Sequence, residues 1–164
     1  MKTVDIEINR SDILEKVVQA TAYSGARTPP QGEDDAAGRF FRVTAADADG
    51  KLFGRYWDEA AAALVERIKQ FVRTASFAGS SLSLTLDLSG AYDDSLTPAV
   101  SSAISSYMVS AMLARWYRIT LPALAGGVED DSLRLLREVE RQLCHRRAPR
   151  RRRASSVATR NELT

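Results

Sequence analysis

The sequence predicts a mainly α-helical, four-helix bundle-like domain with a small antiparallel β element and an extended basic C-terminal arm. Apolar residues recur at helical spacing over most of the chain, two short segments alternate apolar and polar residues, and arginines are concentrated near the C-terminus. The 164 residues suffice for one ordinary domain. We therefore expect the helical domain over residues 1–147 and the basic arm over residues 148–164.

Two segments have the period of two that is typical of a strand with one buried face. Residues 3–8 place Val4, Ile6 and Ile8 on one side, and residues 81–88 alternate without interruption. A strand needs a partner, because its backbone groups are otherwise unpaired. The partner of 81–88 is either 3–8 of the same chain or a strand of a neighbouring subunit. On the second hypothesis, four leucines form an inter-subunit strand: Leu82, Leu84, Leu86 and Leu88.

The first predicted helix covers residues 12–24. Ser11 is placed to cap its N-terminus, and Gly25 is suited to its C-terminal stop. Residues 26–38 contain two prolines and two glycines and are predicted to form a loop. Residues 39–43 are compatible with a short strand.

A long second helix is predicted from Thr44 to about residue 75. Residues 44–47 resemble a capping box, with Asp47 in place of the usual glutamate. The apolar stripe that follows has helical spacing and includes Trp57 and Leu64. Such a helix would be roughly 40–45 Å long, which is typical of a bundle.

A third helix is predicted from Thr97 to about Ile119. Thr97 suits the N-cap and Pro98 the first helical position. Many alanines and serines allow close packing of this helix, and Leu121-Pro122 ends it.

A turn at Gly126-Gly127 and the acidic residues 129–131 precede the last predicted helix. Its apolar side is formed by Leu133, Leu136, Val139 and Leu143.

Cysteine and histidine chemistry is restricted to one neighbouring pair, Cys144 and His145. A single cysteine excludes an internal disulfide and a cysteine-based zinc cage. Adjacent helical residues point about 100° apart, which disfavours a catalytic dyad. We interpret Cys144 as a small apolar filler at the helix end. We predict no catalytic residue, no metal ligand and no cofactor.

Acidic clusters at 33–35, 93–94 and 129–131 suggest either a divalent metal site or loop, turn and helix-start charge. The second interpretation is favoured, because each cluster lies in a segment that we predict to be a loop, a turn or the start of a helix. The aromatic pairs Tyr56-Trp57 and Trp116-Tyr117 suggest either platforms for stacked bases or core residues. Their position within helices favours the core.

Charge is divided unequally along the chain. Residues 1–140 carry 15 basic and 20 acidic side chains, a net charge of −5, whereas residues 141–164 contain eight arginines and one glutamate, a net charge of +7. The basic segment could neutralise nucleic-acid phosphates, dock on an acidic protein, or remain a solvated tail. The candidate partner-binding residues are Arg146, Arg147, Arg150, Arg151, Arg152 and Arg153.

Membrane insertion is not expected from the apolar runs of the chain. The longest uninterrupted run, Ala60 to Val65, is far shorter than the roughly 20 residues that span a bilayer. The N-terminal segment MKTVDIEINR contains no apolar stretch typical of a secretory signal.

The order of these elements resembles a family of virion proteins. The segment DADGKLFGRYWDEAAAALVERIKQFV, a short strand, the segment TPAVSSAISSYMVSAMLARWYRITLP and a final helix that leads into RRAP are similar to the head–tail connector (neck adaptor) proteins of tailed bacteriophages. The resemblance covers roughly residues 44–147. The N-terminal strand, the first helix and the loop over 26–38 depart from the smallest family members.

The resemblance implies a non-enzymatic structural protein of the virion neck, assembled in the host cytoplasm. Members of this family form a homo-oligomeric ring, usually twelve-fold, that joins the portal protein to the tail or stopper protein. The ring surrounds the path of the DNA. The resemblance also implies that residues 148–164 reach the portal. The alternative function is a small nucleic-acid-binding protein that uses the arginine-rich arm.

Overall fold

The computed structural model describes residues 1–27, 44–45, 49–77 and 79–146. The predicted loop and strand over residues 28–43, and the arm from residue 147 onward, lie outside these ranges. The described elements, in chain order, are β1 (Lys2–Asn9), α1 (Arg10–Arg27), α2 (Gly50–Ile68), β2 (Val72–Ser76), β3 (Ser81–Leu88), a 3-10 turn (Asp94–Leu96), α3 (Thr97–Thr120) and α4 (Pro122–Leu143). The predicted mainly helical fold with a small antiparallel sheet is confirmed.

The three strands form one antiparallel sheet in the order β1-β3-β2. Val4 lies opposite Leu86 and Ile6 opposite Leu84, so the apolar faces of β1 and β3 coincide. On the other face, the Thr85 hydroxyl donates a hydrogen bond to the Asp5 carboxylate at 2.8 Å. The intrachain partner predicted for residues 81–88 is therefore confirmed.

The hypothesis of an inter-subunit strand through β3 is wrong. β3 is the central strand and is hydrogen-bonded to β1 on one side and to β2 on the other, so neither of its edges is available to another chain. The four side chains on its apolar face are at most 1% exposed and belong to the core: Leu82, Leu84, Leu86 and Leu88.

Helix α3 lies at the centre of the molecule, in contact with α1, α2, α4 and β1. Val100, Ile104 and Met108 on its inner face are completely buried. By length and composition alone, the segment Asp94–Thr120 is apolar enough to cross a membrane, but the core helix of a soluble protein passes the same test. In this fold, 39% of the most apolar window of that segment is buried.

The boundaries of the first two helices differ from the prediction. Helix α1 begins at Arg10 and continues through Gly25, which is buried within the helix rather than at its end. Helix α2 has 19 residues and ends at Ile68, so it is roughly 28 Å long rather than 40–45 Å. The chain turns after Ile68 because β2 pairs with β3, and the Asp87 amide donates to the Phe71 carbonyl at 2.8 Å.

The predicted bounds of the third helix agree with α3 to within a residue, but its predicted cap and the start of the last helix need correction. The N-cap of α3 is Leu96 rather than Thr97, and it makes no side-chain cap. The Asp93 carboxylate caps the preceding 3-10 turn, where it accepts a hydrogen bond from the Ser95 amide. Helix α4 begins at Pro122, and Gly126 and Gly127 lie within it rather than in a turn.

Trp116 provides a test of the core between α3 and α2. Its side chain is 6% exposed, and its ring centroid lies 5.1 Å from that of Phe53. We expect Trp116→Ala to lower the free energy of unfolding by about 3–5 kcal/mol, through lost burial and the cavity left behind. Urea denaturation followed by circular dichroism measures this loss. Leu124→Ala, at a position that is 48% exposed, is the control and should cost less than about 1 kcal/mol. Equal losses in the two variants would contradict this account of the core.

Candidate functional site

The base of the predicted basic arm lies at one end of the sheet. Arg146 is exposed and forms an isolated antiparallel bridge with Tyr92, which follows β3. Asp94, two residues after Tyr92, forms an ion pair with Lys2. Lys2 is the first residue of β1 and lies opposite Leu88, the last residue of β3. Arg146 therefore lies near the start of β1. The other candidate arginines lie outside the described residues: Arg147, Arg150, Arg151, Arg152 and Arg153.

Cys144 and His145 lie on the surface at the end of α4. Cys144 is exposed, so its interpretation as an apolar filler is wrong; the last core residue of the helix is Leu143, at 3% exposure. The His145 backbone amide donates to the Gln142 carbonyl at 3.1 Å. Within the described ranges, no group of three or more His, Cys, Asp or Glu side chains is arranged to hold a metal ion.

Both aromatic pairs are core residues, as their positions within helices predicted. The exposed fraction is 6% or less for all four side chains: Tyr56, Trp57, Trp116 and Tyr117. The Trp57 indole donates a hydrogen bond to the Phe77 carbonyl at 3.3 Å. These rings are therefore unavailable as platforms for stacked bases.

The sequence did not predict a groove that runs between α2, α3 and α4. Its volume is about 460 Å³. Buried side chains on α2 and α3, among them Tyr56, Tyr107 and Ala111, form its floor together with Leu136 of α4. We call this feature the α2–α4 groove. Its lining also includes Arg55, Glu59, Ala63, Ala114, Arg115, Arg118, Ile119, Glu129, Ser132 and Leu133.

Paired charges lie along the walls of the groove. The Glu59 carboxylate accepts a hydrogen bond from Arg115 at 3.0 Å and forms an ion pair with Arg55 at 3.2 Å. Arg118 of α3 forms an ion pair with Glu129 of α4. The groove therefore holds three arginines and two glutamates, an excess of one positive charge on a body whose net charge is negative.

Two tyrosines on the groove floor are held in their neutral form. Burial raises the pKa of Tyr107, and the nearby Arg115 opposes this shift in part. The Tyr107 hydroxyl donates to the Ala60 carbonyl at 3.3 Å. Burial also raises the pKa of Tyr56, with opposing effects from Arg55 and Glu59. The floor is thus uncharged, and the formal charge of the groove lies on its walls.

Exposed apolar side chains mark the rim of the groove. Ile119 is 65% exposed and Leu133 is 47% exposed. The sequence placed Leu133 on the buried side of the last helix, but of the four residues predicted there only Leu136, Val139 and Leu143 are in the core. The apolar side of α4 is therefore wider than the surface that the helix buries against α3.

Comparison with protein-family models, with curated proteins and with solved structures finds no match for this chain. The fold and the groove define a class: a mainly helical domain with a small sheet and a charged, apolar-rimmed surface groove.

Tyr107→Phe tests the floor of the groove. Loss of the buried hydrogen bond to Ala60 should reduce the free energy of unfolding by about 0.5–1.5 kcal/mol at neutral pH. The folded state keeps the hydroxyl protonated, whereas the unfolded chain releases the proton near the ordinary pKa of 10.0. Stability due to this group is therefore present below that pKa and is lost as the pH rises through the higher folded pKa.

The measurement is urea denaturation at neutral pH and at about pH 11. The difference in stability between the natural protein and Y107F should shrink at the higher pH. A constant difference would show that the hydroxyl is not held neutral by burial.

Proposed function

We propose that this chain is a structural subunit of a head–tail connector, the neck adaptor that joins the portal to the tail or stopper of a tailed bacteriophage. The observation that carries the proposal is the order of elements over α2, β3, α3 and α4, followed by a basic segment. That order is the one in which the sequence resembles the neck adaptors. In this proposal the protein is not an enzyme, and it acts as a ring in the virion after assembly in the host cytoplasm.

The division of charge supports this proposal. The body over residues 1–140 has a net charge of −5, and a ring of such bodies would repel DNA that passes through its channel rather than bind it. The segment from Arg141 onward has the opposite sign, and its last described residue, Arg146, forms a bridge with Tyr92. A basic arm is suited to an acidic surface on the portal, because arginine forms bidentate hydrogen bonds with carboxylates.

Electron microscopy of the purified protein mixed with the portal of the same phage tests the proposal. We expect a ring of added density on the tail-facing end of the portal. The control is the portal alone. A protein that remains monomeric and does not bind the portal would contradict the proposal.

Deletion of residues 148–164 should weaken attachment to the portal without unfolding the body. The last core residue of the described chain is Leu143, so the deletion removes no known part of the core. Thermal unfolding of the free subunit should be unchanged, while sedimentation with the portal should be reduced. A variant with lysine at Arg150–Arg153 is the matched control, since it keeps the charge and removes the bidentate donors. A large fall in the melting temperature of the truncated subunit would contradict this assignment of the arm.

Nucleic-acid binding is the second candidate function, and the net charge of +7 over residues 141–164 is the observation that favours it. If the arm binds phosphates, the logarithm of the binding constant falls with the logarithm of salt concentration, with a slope of roughly −0.9 per phosphate contact on duplex DNA. Fluorescence anisotropy with labelled DNA measures this slope. Salt-dependent binding that is abolished by deleting residues 148–164 would favour this function, and the absence of binding at low salt would exclude it for duplex DNA.

A further inference from the structure

We propose that the α2–α4 groove binds the outer face of helix α1 from a second copy of this chain, and that this contact joins neighbouring subunits side by side. The inference rests on the proposed function, since it names the surfaces that would form the ring. It follows from the positions of exposed apolar side chains, from the charges beside them and from the directions in which the two surfaces face.

The exposed large apolar side chains of the described residues, apart from Met1, occupy two parts of the molecule. Val18 and Tyr23 lie on α1, at 42% and 59% exposure. The others lie at the end of α3 and along α4: Ile119, Leu124 and Leu133. Two separate apolar surfaces on one chain are what a contact between unlike faces of identical subunits requires.

Helical geometry defines the outer face of α1. Glu15, Val18 and Ala22 follow at intervals of three and four residues, which places them on one side of the helix. The opposite side, which includes Ile13 and Val17, is buried in the core. The outer face thus presents an apolar ridge in its second half, preceded by carboxylates.

The charges of the two surfaces are complementary. Asp12 and Glu15 are exposed on α1. The nearby cations point elsewhere: Lys16 lines a cavity against α3 and α4, and Arg10 reaches toward Gly54 and the Gly79 carbonyl. The groove, in contrast, contains one more arginine than glutamate. Carboxylates of α1 would therefore approach a surface with an excess of positive charge.

The lining of the groove suits an apolar ridge. Its floor is apolar and uncharged, and its rim carries Ile119 and Leu133, which would enclose the ridge formed by Val18 and Ala22. This arrangement is the usual one for an amphipathic helix bound in a groove, with apolar anchors in the centre and charged pairs at the edge.

The two surfaces face different directions on each subunit. Tyr117 of α3 contacts α1, where its hydroxyl lies 2.6 Å from the Ser24 hydroxyl. The next residue, Arg118, lines the groove. Consecutive helical residues diverge by about 100°, so α1 and the groove lie on different sides of α3. Each subunit can therefore offer α1 to one neighbour and its groove to the other, which is the head-to-tail arrangement that forms a ring when the rotation between subunits closes.

Disulfide cross-linking tests the contact. Cys144 is exposed, so the background is Cys144→Ser. Val18→Cys and Ile119→Cys place one thiol on each surface at positions that are already exposed. The two single variants, mixed and allowed to assemble on the portal under mild oxidation, should give covalent dimers, and each alone should give none. The double variant should give a ladder of larger species on a non-reducing gel.

The control pair combines Val18→Cys with Glu66→Cys, an exposed position on α2 outside the groove. It should give no ladder. Dimers from V18C alone would show that α1 pairs with α1, and would overturn the proposal. Absence of cross-links from the mixed single variants in an assembled ring would overturn it as well.

A matched pair of charge substitutions tests the groove independently. Leu133 and Leu124 both lie on α4 and are 47% and 48% exposed, but only Leu133 lines the groove. We expect Leu133→Glu to weaken assembly about tenfold or more, because it places a carboxylate against the apolar ridge of α1 and buries it in the contact. Leu124→Glu should assemble normally. Circular dichroism establishes that both variants fold.

The outcomes separate this inference from the proposed function. Assembly of L133E on the portal at the natural level would overturn the groove contact and leave the connector function in place. Failure of the natural protein both to assemble and to bind the portal would overturn the two together.

Discussion

The burial of helix α3 is the constraint on which the other elements depend. Its inner residues are in contact with α1, α2, α4 and β1, so each neighbour is positioned against the same apolar surface. Small residues allow the closest of these approaches: the Ser110 hydroxyl donates to the Val128 carbonyl of α4 at 3.1 Å. Loss of this central surface would leave four elements without their packing partner. The α2–α4 groove is a consequence of the same arrangement, because α2 and α4 both pack on α3 and contact each other little.

Much of the sheet was predictable from the sequence, because both β1 and β3 bury one face and leave the other polar. That alternation specifies which residues are buried, but the register that places Val4 opposite Leu86 is seen only in the structure, because a shift of two residues would keep the same faces. Strand β2 lacked such a signal. Phe71 and Val72 continue the apolar spacing of α2, and all of β2 after Val72 is exposed. Its extended conformation comes from pairing with β3, a contact between distant residues that local spacing does not contain.

The errors in the C-terminal half have a related cause. Glycine in a helix costs about 1 kcal/mol relative to alanine, so Gly126 and Gly127 suggested a turn. The break is at Leu121, where Leu121-Pro122 predicted the end of the third helix; its φ is −141° and its ψ is 70°. Ala125, next to the glycines, is buried in the core. The groove could not be predicted for a similar reason. Its lining comes from three helices, and the exposure of Leu133 depends on where α2 lies relative to α4.

The proposed contacts of this protein differ in their chemistry, and that difference bears on assembly. The groove contact is mainly apolar at its centre, so it depends on buried area and responds weakly to salt. The arm is a concentration of arginines, and its contacts with a portal or with DNA weaken as salt screens them. A ring whose subunits are joined by the groove contact, and whose arms attach it to a portal, can detach from the portal and rebind as a unit. The division of charge along the chain, acidic over residues 1–140 and basic from Arg141 onward, adds a third attraction, between an arm and the acidic body of another copy. Because the groove contact depends little on salt, raised ionic strength would weaken that attraction and leave the groove contact in place.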